Sequence, residues 1–444
     1  MKKNEDHSEN VHLRKDIGML EAITVVIGIV IGSGIFFKSS PVFGQAGSVW
    51  MGLAAWIVGG IVTMASALTV AEIGAAIPKT GGVFVYLKEL YNEKWAFLYG
   101  WVQTLVYAPG IIAALSIVFA TQATYFIPMS PKEQKGLAVF IMVFIILINI
   151  VSTRLGSRVQ IIVTFAKLVP IFVIILFGLW KGQAHSLTAA APMEFHAAGF
   201  GAAILGTLWA YDGWVHVSNM AGEMKNAKTD LPRAIVIGLS MIILIYLLIN
   251  MAIIQVLPFS EVVSSPKVAS DTAVQLFGNS GAGFITAGIM ISIIGALNGY
   301  IMTGIRIPYA MSRDGLFPFS SIFSRLHGTF KTPANILILE GLLAFIYLMT
   351  GSFETLTNLA IFVTWIFFVM TVAGIFILRY KFKHVERPYQ VPLFPVVPII
   401  GIAGGIYIII STFFTSTLDA LIGIFVTIIG IPVYYAIKRK EKSV

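Results

Sequence analysis

Val26-Ile27-Gly28-Ile29-Val30-Ile31-Gly32-Ser33-Gly34-Ile35-Phe36 lies in the middle of the first long apolar segment of the chain. Three glycines and a serine fall within seven residues there. Each glycine costs a helix roughly 1 kcal/mol relative to alanine, so the Gly-Ser-Gly cluster is a natural place to unwind. Unwound backbone is tolerated at membrane depth only where protein or a water-filled cavity satisfies it. Gly28 and Gly32 also stand four apart, a spacing that suits close helix packing through small residues. A second interruption favours the break. Leu205-Gly206-Thr207-Leu208-Trp209-Ala210-Tyr211-Asp212-Gly213-Trp214-Val215-His216 sets an aspartate, a glycine and three aromatics inside another apolar segment. An ionisable residue at that depth is expensive and usually functional.

The surroundings of both stretches are those of a membrane protein. Of 444 residues, 57% are hydrophobic and 11% charged, against about 25% charged in soluble domains. So few charges cannot cover a soluble surface, which excludes a disordered chain, a nucleic-acid-binding module and nearly every soluble enzyme. The excess of 30 Lys and Arg over 21 Asp and Glu fits cationic residues held at cytoplasmic membrane edges. There is no cysteine, so disulfides, thiolate metal sites and cysteine catalysis are excluded. No cleavable signal pattern is expected at the N-terminus.

A bilayer core needs about 20 apolar residues per helix. Twelve such segments are expected, near residues 17–38, 48–76, 95–125, 134–153, 158–181, 199–222, 233–258, 280–312, 333–351, 356–379, 396–414 and 418–437. The fold class is therefore an all-α polytopic membrane protein. The runs lack the alternation of a transmembrane barrel. With the N-terminus inside, 24 Lys and Arg fall on the inner side, 5 on the outer side, and Lys167 within a span. This places both termini in the cytoplasm and supports an even number of spans.

The two interrupted segments open two successive groups of five spans. An odd number of spans per group inverts the second copy, and paired interruptions at matching positions point to a transporter's substrate site. The expected organisation is a cytoplasmic segment 1–16, a first repeat over 17–181, a second over 199–379, two added spans over 396–437 and a cytoplasmic tail 438–444. A break in span 1 frees the amides around Gly32, Ser33 and Gly34 at a helix N-terminus, which attracts a carboxylate. The carbonyls of Val30, Trp209 and Asp212 are placed to take an ammonium. Amides for a carboxylate and carbonyls for an ammonium make a receptor for a zwitterion, of which an α-amino acid is the obvious example.

Several ordered motifs extend the pattern. They are Gly32-Ser33-Gly34-Ile35-Phe36, Glu72 with Pro78-Lys79-Thr80-Gly81-Gly82, and Ala210-Tyr211-Asp212-Gly213-Trp214. Gly222-Glu223-Met224-Lys225-Asn226 with Pro232-Arg233-Ala234, Ser312-Arg313-Asp314-Gly315, and Arg387-Pro388-Tyr389 with Val391-Pro392 follow. From about Arg14 to Arg439 the chain resembles the amino acid–polyamine–organocation superfamily. Within it the chain is similar to the L-amino-acid transporter family, especially bacterial serine/threonine and alanine–serine–cysteine exchangers. The resemblance implies the five-plus-five inverted repeat called the LeuT fold, with spans 1 and 6 broken at mid-membrane. It implies sodium-independent, one-for-one exchange of small neutral amino acids by alternating access. It also puts the carboxylate on Ser33 and Gly34, and the amino group on the carbonyls of Val30, Trp209 and Asp212. Mammalian members carry a disulfide-linked heavy subunit; a chain without cysteine cannot form that link.

Lys167 sits about nine residues into its span, roughly 13 Å deep at 1.5 Å per residue. It either snorkels to the interface or stands as a built-in ammonium where sodium-coupled relatives bind a cation, bracing span 5 against the break in span 1. Asn298, in the middle of span 8, either lines the substrate site or makes an interhelical hydrogen bond. Trp209 either packs or caps the cavity, and His216 is expected to be a packed, satisfied histidine. For Asp212 the carbonyl is the expected ligand, with the carboxyl turned toward water. The outer loop 259–280 is expected to carry a short helix. No phosphate loop, catalytic triad or cofactor motif is present, so no cofactor and no enzymatic activity are expected. A proton-coupled amino acid or amine permease is the alternative function.

Overall fold

The end of each long helix is written in its neighbouring residues. Ser48 accepts from the Met51 N–H (3.3 Å) and starts a helix that runs to Ala76 before Pro78. Asn92 caps the next long helix the same way, accepting from the Trp95 N–H at 3.2 Å. Gly47, with φ +73°, ends the helix before Ser48 in the left-handed conformation that favours glycine.

A computed structural model of the chain describes residues 17–32, 34–151, 153–182, 197–265, 267–351, 353–415 and 417–441. Among these residues it is all-helical, with one isolated backbone bridge between Ile17 and Met224. In chain order the helices begin α1 Met19–Val30, α2 Gly34–Phe37, α3 Ser39–Ala46, α4 Val49–Ala76, α5 Val83–Leu90 and α6 Glu93–Val102. A π-helical turn, Gln103–Tyr107, joins α6 to α7 Ala108–Ala123. Next come α8 Pro131–Val151, α9 Thr153–Lys181, α10 Ala197–Ala210, a 3-10 helix Trp214–Glu223, and α11 Ala227–Val256. The rest are α12 Phe259–Ser264, α13 Val268–Phe277, α14 Asn279–Gly304, α15 Arg306–Arg313, α16 Ser320–Phe323, α17 Ala334–Thr350, α18 Phe353–Lys381, α19 Val396–Thr415 and α20 Thr417–Glu441.

Ten helices among the described residues are long and apolar enough to cross a membrane. The protein is a multi-pass membrane protein. Two of the twelve expected spans fall below that measure. Helix α17 is 17 residues long. The sixth expected span is split into α10, of 14 residues, and a 3-10 helix of 10 residues, not a resumed α-helix. The outer loop holds two short helices, α12 and α13, where one was expected.

Helix α1 sits at the centre, packed by α9, α11, α14 and the 3-10 helix. Its apolar window is 76% buried, against 17% for α20, which places α20 at the periphery. Near the C-terminal end of α4, Glu72 is fully buried; it accepts from Arg379 Nε (3.0 Å) and Nη2 (2.7 Å) and from the Val391 N–H at 2.7 Å. Glu223, closing the 3-10 helix, pairs with Arg306 at 2.5 and 2.8 Å. These contacts use Glu72 and Glu223 as buried ties between segments distant in the chain, whereas Lys79 makes an exposed ion pair with Glu89.

Candidate functional site

Helix α1 stops at Val30, and α2 restarts at Gly34. Ser33 lies outside the described residues, so the site is built without it. The carbonyls released at the break are taken up by side chains. Lys167 of α9 is fully buried and donates from Nζ to the Gly28 carbonyl at 2.7 Å and to the Ile31 carbonyl. Ser292 of α14 donates to the Ile31 (2.9 Å) and Gly32 (3.3 Å) carbonyls. Tyr246 of α11 shares its one hydroxyl proton between Val30 O at 2.9 Å and Ala210 O at 3.1 Å, joining the ends of both broken helices. Lys167 therefore does not reach for the interface; its ammonium stands at the break.

The Val30 carbonyl is a different matter. It accepts the Gly32 N–H (2.8 Å) and shares the single Tyr246 hydroxyl proton with Ala210 O, so it is engaged within the chain before any ligand ammonium arrives. Val30 lines the cavity, but not as an open acceptor. Trp209 O likewise accepts the Asp212 N–H at 3.2 Å.

Close packing and the break turn out to be compatible at the glycines. A Cβ at Gly28 would stand 1.9 Å from Gln160 Nε2, so Gly28 lets α9 approach. A Cβ at Gly34 would lie 2.9 Å from Ala210 Cα and 3.2 Å from Trp209 Cζ3, so α2 and the end of α10 meet through this glycine. Gly213, at φ +108°, makes the turn out of α10.

Between the two breaks lies a small cavity, with about 30 Å³ open to the centre of a water-sized sphere, lined by Ile29, Val30, Gly32, Gly34, Trp209, Ala210 and Asp212 of the broken segments. Ile111, Ala114 and Leu115 of α7, with Ala296 and Tyr300 of α14, close the rest. The wall is mostly apolar with few polar groups, as small-molecule sites are. Trp209 stands at one side, with Lys38 Nζ 5.0 Å above its ring.

The Asp212 carboxyl belongs to this wall rather than to bulk water, contrary to expectation. Its Oδ2 accepts from the hydroxyls of Tyr107 (2.5 Å) and Tyr300 (3.4 Å). Tyr107 also meets His216 Nε2 at 3.0 Å, and His216 Nδ1 lies 3.4 Å from Asn219 Nδ2. His216 is 1% exposed and fully engaged, as expected of a packed histidine. Asn298 is not in the cavity. It accepts from Asn149 Nδ2 (2.9 Å) and donates to Gly156 O (3.0 Å) and Gln160 Oε1 (2.9 Å), tying α14 to α8 and α9. Its polar amide marked depth in the membrane but not direction.

Tyr107, Tyr246, Tyr300 and Ser292 were missed. Their signal is weak, since an apolar span tolerates a tyrosine or serine for packing alone. Only pairing across the fold reveals that all four serve the breaks.

Comparison of the sequence with known proteins gives the family. A family model described as amino acid permease matches residues 17–434. The chain belongs to the amino acid permease family. The permease is 41% identical over 438 residues to the serine/threonine exchanger SteT of Bacillus subtilis (strain 168), covering 98% of this chain and 100% of that one. It is 33% identical over 407 residues to the b(0,+)-type amino acid transporter 1 of Mus musculus, covering 90% and 82%. It is 30% identical over 444 residues to the cystine/glutamate transporter of Homo sapiens, covering 96% and 86%. These relatives are named as transporters and exchangers, and the permease is an amino acid transporter, not an enzyme.

Proposed function

We propose that this permease exchanges small neutral L-amino acids of the alanine, serine and threonine type, one for one and without sodium, by alternating access. The reading rests chiefly on the cavity between the two breaks. It is small, and its wall of Ile111, Ala114, Leu115 and Ala296 favours a small side chain. The free amides of the restarting helix at Gly34 suit the carboxylate. With Val30 O engaged within the chain, the Asp212 segment and the Trp209 side of the cavity are left to receive the ammonium. Independence from sodium is supported by Lys167, whose ammonium already satisfies the Gly28 and Ile31 carbonyls.

The same reading makes the chain a twelve-span LeuT-type fold. Residues 17–181 and 199–379 form the inverted repeats, 396–437 the added pair, and both termini lie in the cytoplasm. The amino acid and the lipid bilayer are its partners. The absence of cysteine rules out a disulfide-linked heavy subunit.

Uptake of labelled serine into proteoliposomes tests the proposal. Vesicles preloaded with serine should take up label rapidly with or without sodium, while empty vesicles stay near background. Strong stimulation by sodium, or equal uptake into empty vesicles, contradicts exchange. Uptake into empty vesicles driven by a pH gradient would replace it with proton coupling.

A further inference from the structure

Glu340 takes no part in the site described above. It is the seventh residue of α17, about 9 Å along the helix axis, in the apolar run Ile338-Leu339-Glu340-Gly341-Leu342. It is 1% exposed, and neither carboxyl oxygen has a hydrogen-bond partner. Helix α17 packs against α7, α8, α16 and the π-helical turn, and α14 approaches through Gly304.

No counter-charge faces it from these elements. Helices α7 and α16 contain no acid or base, and the π-helical turn holds only Tyr107. On α14 the one titratable group is Tyr300; Arg306, beyond its end, is paired with Glu223. On α8 the charges Lys132, Glu133 and Lys135 cluster at the far end, where Lys135 donates to Met349 O (3.2 Å). Tyr347 of α17 itself donates to Leu105 O at 2.7 Å. An ionised carboxylate stripped of water, donors and counter-charge is too costly to keep, and such a group takes up a proton instead.

The position behind the cavity gives that proton a consequence. A Cβ at Gly304 would lie 3.3 Å from Ala108 Cβ and 3.8 Å from Glu340 Oε2, so Gly304 is the notch where α7 and α17 meet α14. Tyr107 adjoins Ala108, and Tyr300 stands one turn before Gly304. Both hydroxyls donate to Asp212 in the cavity wall. The Glu340 carboxyl thus backs the two helices that carry the wall's donors.

We propose that Glu340 is a proton-binding site within the membrane, and that its proton regulates the amino acid site by keeping α7 and α14 packed behind Tyr107 and Tyr300. Loss of the proton would place a bare charge in the notch and force the helices apart to hydrate it. The regulatory half rests on the exchange reading of the cavity; the protonated state does not.

Two measurements test the two halves. Exchange by the wild type, followed in vesicles at equal pH on both sides, should fall as pH rises, approaching tenfold per pH unit above the midpoint. Glu340→Gln, neutral and isosteric, should exchange at the low-pH rate and lose that fall. A Glu340→Gln variant that keeps the wild-type pH profile overturns the regulatory role. Infrared spectroscopy of the purified protein reads the proton directly. The carbonyl band of a protonated carboxylic acid should be present at neutral pH, survive Asp212→Asn and vanish in Glu340→Gln. If Glu340→Gln cannot be purified, the band in Asp212→Asn decides: its presence supports the site, and its absence overturns it whether or not the protein exchanges amino acids.

Discussion

Replacing Lys167 by alanine should remove most of the exchange activity while leaving a folded protein in the membrane. Two carbonyls lose their donor. Ile31 O retains Ser292 at 2.9 Å, but Gly28 O has Lys167 as its side-chain partner at 2.7 Å. Leaving one buried carbonyl unsatisfied costs about 1–3 kcal/mol. The cost falls on the arrangement in which α9 is docked on the α1 break. An arrangement with α9 withdrawn lets water reach that carbonyl. At 1.4 kcal/mol per tenfold, the docked population should drop roughly five- to 150-fold relative to the withdrawn one. Counterflow of labelled serine in proteoliposomes, normalised to the amount of reconstituted protein, reads the loss. Thermal unfolding in detergent separates it from global misfolding. Lys167→Met, which keeps most of the stem but not the donor, should behave like alanine. Exchange within twofold of wild type in both variants would refute the bracing role, because the Gly28 carbonyl would then have cost nothing to abandon.

Four further outcomes are expected. Gly34→Val should abolish exchange, since even a Cβ stands 2.9 Å from Ala210 Cα; Ser33→Ala keeps the backbone amide and should stay within a few-fold of wild type, and the reverse order would contradict a backbone carboxylate site. Amino acid amides, lacking the negative charge rewarded at a helix N-terminus, should compete with serine uptake at least tenfold more weakly than the acids, as an inhibition series would show. Tyr246→Phe removes the one hydroxyl donor shared by Val30 O and Ala210 O, worth about 0.5–1.5 kcal/mol, and should lower both Tm and exchange; an unchanged Tm would mean that water replaces the hydroxyl between Val30 and Ala210. Glu223→Ala leaves Arg306, 5% exposed, without its carboxylate; about 3–5 kcal/mol should be lost and read as a large drop in Tm, whereas a Tm equal to wild type would show that the pair is solvated.

The breaks are legible in the sequence because glycine and aspartate are costly inside an apolar run, and the cost is local. Gly32, Gly34, Trp209 and Asp212 all reach the cavity wall for that reason. What meets a freed carbonyl is not local. The partner of Val30 O is Tyr246, 216 positions away, and nothing in an apolar span containing one tyrosine announces it. Asn298 illustrates the same limit, since a mid-span amide has to be satisfied but periodicity does not say by which neighbour. The 3-10 helix after Gly213 begins Trp214-Val215-His216-Val217-Ser218-Asn219, residues of middling helix preference that announce neither form. Glu340 was open to reading by the argument that singled out Asp212. Its flanks hold a single glycine, Gly341, and no cluster like Gly32-Ser33-Gly34, so the sequence around it shows an acid without a break.

The central claim, that the cavity between the two breaks is where the amino acid binds, has one direct test. The chain contains no cysteine, so a single cysteine is the only thiol. Ala114→Cys places it in the cavity wall, and Asn298→Cys places it among α8, α9 and α14, outside the cavity. The rate of modification by a small methanethiosulfonate reagent is measured in each, with and without L-serine. At about ten times its Kd, serine should slow labelling of Ala114→Cys roughly tenfold and leave Asn298→Cys unchanged. Labelling of Ala114→Cys at the same rate with and without serine, in a variant that still exchanges serine, would show that the substrate binds elsewhere.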